Sequence, residues 1–140
     1  MKKLSKLALG LTAGAALAAM LGQASAADIT WDRLANAHKD PNNWLMYHQD
    51  LRSWHHSALT QINTGNVQDL RIEWMHTPGA GKRGIQSFPL VADGVLYYTS
   101  SLGQIYALDA ATGALKWKFS PKIDEERGMG TFYNPYNRGV

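Results

Sequence analysis

Apolar positions follow three different rhythms along this chain, and each predicts a different kind of structure. Residues 7–21 form one nearly unbroken apolar run behind Lys2, Lys3 and Lys6. Residues 27–68 are irregular. There Thr30 is placed to cap a short helix reaching 37, and Lys39-Asp-Pro-Asn-Asn43 marks a turn. The stretch 44–64, rich in Asn, His, Ser and Trp, reads as loop, with a further turn at Asn63-Thr-Gly-Asn66. From 69 onward the period becomes two. Residues 70–75 alternate apolar and polar as a half-buried strand does, and a Gly-rich loop spans 78–84. Four short strands follow at 88–91, 95–99, 104–108 and 115–119. Tight turns at Asp93-Gly94, at Leu102-Gly103 and from Asp109 to Gly113 join them into one antiparallel meander. The tail, 121–140, is rich in Gly, Asn and Pro.

The first rhythm is that of a secretory leader. A basic start and a short apolar run precede Ala24-Ser25-Ala26, a small-x-small cleavage pattern. The run is shorter than the roughly 20 residues a membrane-spanning helix needs. A mature chain beginning at Ala27 is expected, with an uncleaved anchor as the alternative. Fourteen basic residues fall to eleven once the three leader lysines leave, against eleven acidic ones. The mature charge is therefore near zero, and no basic patch points to nucleic acid. The chain has no cysteine, which excludes disulfide stapling, thiolate metal sites, iron–sulfur clusters and covalently attached c-type haem.

The segment Ala107-Leu-Asp-Ala-Ala-Thr-Gly-Ala-Leu-Lys-Trp117 is the most specific motif. Read as A-x-D-x-x-T-G-x-x-x-W, it resembles the tryptophan docking motif of the quinoprotein alcohol dehydrogenases, and Ala107, Asp109, Thr112, Gly113 and Trp117 fill every fixed position. Its neighbours extend the resemblance in order: Trp44-Leu-Met-Tyr47, Ser57-Ala-Leu-Thr-Gln-Ile-Asn63 with Asn66-Val67, Pro89-Leu-Val-Ala-Asp-Gly-Val-Leu-Tyr97 and Asn137-Arg-Gly-Val140. Together they cover essentially the whole mature chain. The resemblance implies an all-β fold, an eight-bladed β-propeller holding pyrroloquinoline quinone. A propeller needs at least four blades of about 40 residues, more than the 114 residues left after a 26-residue leader. The expected organisation is therefore a leader at 1–26, a lead-in at 27–68, and at 69–140 an outer strand, the first blade and a cofactor-side loop of an incomplete ring.

Site residues follow from the same resemblance. It places Arg138 at the quinone oxygen, where a permanent cation stabilises negative charge as hydride arrives; a loop arginine paired to a carboxylate is the alternative. Two departures stand out. Family members commonly carry adjacent cysteines just before this arginine, whereas counting back from Arg138 reaches Phe132 and Tyr133, whose rings could cover a planar quinone by stacking or simply pack the loop. Gln86 stands where many members place a glutamate, keeping hydrogen bonding but losing charge. Trp117 is expected to be scaffold, a large indole packed between neighbouring blades.

The implied chemistry is alcohol oxidation by hydride transfer to the quinone. A calcium or lanthanide ion serves as Lewis acid, an aspartate takes the alcohol proton, and electrons leave to a cytochrome c. The metal ligands and the base lie downstream in the family, so no catalytic residue is expected in this chain, which alone should be inactive. Export implies the periplasm, and the full-length protein could be a homo-oligomer. A non-catalytic periplasmic propeller of the same style, acting as a scaffold for protein partners, is the competing reading. Other motifs are weaker. Gly79-Ala-Gly-Lys82 lacks the Ser or Thr of a phosphate loop, since Arg83 follows. His48, His55 and His56 match no closed metal-site spacing, and Asp124-Glu-Glu126 lacks a calcium loop's alternation.

Overall fold

The structure, a computed structural model, describes residues 27–79, 85–122 and 137–140. The leader at 1–26, the centre of the Gly-rich loop, the acidic run 124–126 and both Phe132 and Tyr133 lie outside the described residues. Four strands form one antiparallel sheet in chain order: β1 (Leu90–Ala92), β2 (Val95–Thr99), β3 (Ile105–Asp109) and β4 (Leu115–Phe119). This is the predicted meander, with both boundaries of the first and third strands moved. Pairing in β1 starts at Leu90 rather than at 88, because Pro89 has no N–H to give a ladder. Phe88 instead packs edge-on against Tyr47, ring centroids 4.5 Å apart. The third strand runs one residue later than predicted at both ends.

The turns use backbone conformations their residues tolerate. Asp93 (φ 50°) and Gly94 (φ 74°) are both left-handed, the pairing that a two-residue hairpin needs to match strand twist. Thr30 caps α1 (Trp31–Ala35) by accepting from the Arg33 N–H at 3.2 Å. The helix ends two residues earlier than predicted and passes into a 3-10 turn at Ala37–Lys39.

Residues 70–75 depart from expectation. They form no strand among the described residues. The two-residue period is present further along and in a different setting. Trp74, His76 and Pro78 are half-buried, while Ile72 and Met75 are 79% and 84% exposed. The segment lies across one face of the sheet instead of along its edge. Trp74 Nε1 donates to Ala110 O at 3.2 Å, His76 Nδ1 and the Tyr98 hydroxyl lie 2.7 Å apart, and the Tyr106 hydroxyl reaches Pro78 O at 2.7 Å. These side-chain bonds replace a ladder.

Cross-strand register sorts the side chains onto two faces. Leu96 opposite Leu108 and Tyr98 opposite Tyr106 lie on the covered face, where the two tyrosine rings stack at 5.0 Å. Leu90, Tyr97, Ala107 and Trp117 share the other. The core lies along β3, where Tyr106, Ala107 and Leu108 are buried, with Ala92 and Val95 beside them. The lead-in seals the outer edge of β1. Trp44 and Val91 exchange both backbone hydrogen bonds, at 2.8 and 3.0 Å, and so occupy an otherwise open strand edge.

Candidate functional site

The two predicted cofactor contacts within the described residues, Gln86 and Arg138, converge on one threonine. Thr99 ends β2 and is fully buried. Its backbone is gripped by Ser87, whose hydroxyl donates to Thr99 O at 2.6 Å and accepts from Thr99 N at 3.2 Å. Its own hydroxyl donates to Asn137 O at 3.2 Å. Gln86 precedes Ser87 and Arg138 follows Asn137, so two segments far apart in sequence are tied to the same strand end. Both of their side chains are exposed, and among the described residues neither carries a hydrogen bond or ion pair. Ser100 and Ser101 extend this buried polar floor, Ser100 Oγ donating to Gln104 Oε1 at 3.4 Å. Ser87 and Thr99 were missed by sequence reasoning, and Asn137 entered only as the first residue of the Asn-Arg-Gly segment. The density of small hydroxyls at 99–101 was the available signal.

The motif turn between β3 and β4 is built by Asp109. One carboxylate oxygen accepts from Ala111 N (3.2 Å), Thr112 N (3.0 Å) and the Thr112 hydroxyl (2.9 Å). These bonds, led by the Thr112 hydroxyl, hold the Asp109 carboxyl below its ordinary range. The threonine hydroxyl in turn accepts from Ala114 N at 3.3 Å. Gly113 has φ 72° and presses on an indole: a Cβ there would stand 2.6 Å from the Trp74 ring. Trp74 is thus the tryptophan that docks on this turn, a partner sequence reasoning missed. Trp117, expected to be buried between blades, is 47% exposed, with Tyr97 beside it at 6.0 Å between ring centroids. The described residues offer it no second surface to pack against.

The histidines divide. His48 and His55 meet through Nδ1 and Nε2 beside Tyr47. His56 lines a separate small recess with His38 and Asp50. Among the described residues no group of three or more His, Cys, Asp or Glu is arranged to hold a metal.

A four-stranded antiparallel meander with a tryptophan clamped on its D-x-x-T-G turn is the blade unit of a β-propeller. The family model for the PQQ glucose/ethanol/alcohol dehydrogenase β-propeller domain matches residues 44–140, and the chain belongs to that family. It is 38% identical over 112 residues to the 1-butanol dehydrogenase (quinone) of Thauera butanivorans, covering 79% of this chain and 18% of that protein. It is 38% identical over 136 residues to the dehydrogenase subunit of the alcohol dehydrogenase (quinone) of Acetobacter aceti, covering 96% and 18%. Among solved structures, the quinohemoprotein alcohol dehydrogenase ADHIIG of Pseudomonas putida superposes with TM-score 0.74 at 35% identity, covering 82% of this chain and 17% of that one. A europium-containing methanol dehydrogenase superposes with TM-score 0.66 at 33% identity, covering 77% and 19%. The chain thus spans less than one-fifth of the length of these relatives.

The donor set at the strand end fits the quinone of this family. A planar, carbonyl-bearing, anionic ring calls for fixed donors, and Arg138 offers five N–H groups on a permanent cation. Gln86 adds a donor and an acceptor without charge. Among the described residues both side chains are unengaged, while the backbones beside them are fixed to Thr99.

Proposed function

We propose that the chain is the N-terminal part of an exported, pyrroloquinoline quinone-dependent dehydrogenase of alcohols, completed by further blades to eight, with electrons passing to a cytochrome c. When bound, the quinone supplies the acceptor for the alcohol's hydride. This chain's residues bind and orient. Arg138 donates to the quinone oxygen, Gln86 hydrogen-bonds the ring system, and the Ser87–Thr99–Asn137 ties keep the two at a fixed separation. Phe132 and Tyr133 stand in for the adjacent cysteines as the cover of one ring face. The calcium or lanthanide ligands and the proton-accepting aspartate belong to later blades. The leader at 1–26 directs the protein to the periplasm.

The observation that carries this reading is the attachment of the Gln86 and Arg138 segments to a single buried strand end, in a chain of the quinone-binding family. The test is reconstitution of the cofactor-free full-length protein with the quinone, followed by its absorption spectrum. Saturable spectral change is expected. Arg138→Ala is expected to weaken binding about tenfold to a hundredfold, the loss of one charge-assisted hydrogen bond. No spectral change with the unsubstituted protein would favour the scaffold reading.

A further inference from the structure

Ala27 is held at both of its backbone polar atoms. Its N–H donates to Asp93 Oδ2 at 3.0 Å, and its carbonyl accepts from Arg33 Nη1 at 3.2 Å. The same guanidinium grips Asp93 with both terminal nitrogens, Nη1 on Oδ2 at 3.0 Å and Nη2 on Oδ1. Asp93 has little freedom of its own. It sits in the left-handed region of the β1–β2 turn, and its N–H donates to Asn43 Oδ1 at 2.6 Å. Three remote segments therefore build one cradle around residue 27. An apolar recess lined by Ile29, Leu45, Leu90, Tyr97 and Val140 adjoins it.

Independently of this geometry, Ala27 is the residue that follows the Ala24-Ser25-Ala26 cleavage pattern. We propose that Asp93 is the binding site for the chain's own α-ammonium group, created at Ala27 when the leader is removed. The proposal rests on the export reading above. Hydrolysis breaks the 26–27 amide bond; water's hydroxyl joins the Ala26 carbonyl carbon, and its proton goes to the Ala27 nitrogen. An uncharged donor with one N–H becomes, on protonation at neutral pH, a cation with three. Placed against a carboxylate already at hydrogen-bond distance, it makes a charge-assisted contact where only a neutral one existed. Processing thereby latches the lead-in onto the first hairpin of the sheet.

The charges facing the amine have opposite effects. Asp93 attracts it from the turn, and Asp28 lies next in the chain. Arg33 repels it from α1, tempered by Asp40, which acts on Arg33. Asp93 Oδ2 is the charge that touches the nitrogen itself, whereas Arg33 touches the residue's carbonyl, so the cradle favours the ammonium form.

The test uses the full-length exported protein. Intact mass and N-terminal sequencing establish the mature terminus, and the pH dependence of its acylation, read by mass spectrometry, reports how the amine titrates. We expect a terminus at Ala27 labelled at least tenfold more slowly at pH 8 than the same amine in a short peptide. Asp93→Asn, tolerated at a left-handed position, should restore peptide-like labelling. Arg33→Gln should slow labelling further by removing the like charge, and so serves as a check should Asp93→Asn fold poorly. A terminus at Ala27 that labels like the peptide and ignores both substitutions would overturn the site while leaving export intact. A mature terminus at another residue would overturn the site, and one at Met1 would overturn the cleaved leader as well.

Discussion

Gly113 and Trp74 define one another. The glycine supplies a left-handed turn that most side chains disfavour, and the space its missing Cβ leaves is filled by the indole. Gly113→Ala is expected to cost about 2–4 kcal/mol, combining overpacking with backbone strain. In a Trp74→Ala background that penalty should fall to the strain alone, about 1–2 kcal/mol; urea denaturation of the four full-length variants measures the difference. The A-x-D-x-x-T-G-x-x-x-W pattern was readable because its hydrogen bonds are local, Asp109 and Thr112 serving backbone groups two or three residues away. Its docking partner was not, since Trp74 reaches the turn across 36 residues and nothing in local periodicity marks which of five tryptophans does so. Tyr98 gives a second residue-level outcome. Burial first, and the neighbouring Tyr106 second, push its hydroxyl up to about 12. A raised tyrosine favours folding below its ordinary value of about 10, and that gain is lost as pH climbs towards the higher one. Ultraviolet titration should show one late tyrosine phase, removed by Tyr98→Phe.

The helix cap and the tight turns were legible wherever one residue's stereochemistry decides them. Thr30 caps as expected, and the Asp93-Gly94 hairpin forms. The stretch 70–75 misled because period two reports a half-buried extended segment but not which surface buries it. Here the covered positions are Trp74, seated on the Gly113 turn, and His76, beside the stacked Tyr98 and Tyr106. Ion pairing between elements was equally invisible. Arg33 on α1 holds Asp93 on the β1–β2 turn, and that contact above all lowers the Asp93 carboxyl. A lowered carboxylate stabilises the fold above its ordinary value of about 4, and this stabilisation disappears as pH falls through the lowered one. Asp93→Asn should therefore flatten the acid limb of the stability–pH profile below about pH 4, where the unsubstituted protein loses this contribution. Parallel denaturation midpoints across that range provide the measurement.

For the whole molecule, β4 is the telling element. All five of its residues are exposed, including Leu115, Trp117 and Phe119, an apolar outer strand with only Lys116 and Lys118 to discourage pairing. A segment comprising 27–140 alone is expected to self-associate and to show no alcohol oxidation with a dye acceptor. Size-exclusion chromatography showing a monomer that melts cooperatively would contradict the need for sister modules. The family and the single meander could be read from the sequence because both depend on short-range motifs. The polar floor around Thr99 could not, since it joins residues 12 and 38 positions away. The uncommitted indole of Trp117 also gives such a protein an order of events. Trp74 already has its glycine, while among the described residues Trp117, 47% exposed, has none against it. A chain that folds from its amino end would therefore accrete, each arriving repeat meeting a ring left waiting by its predecessor.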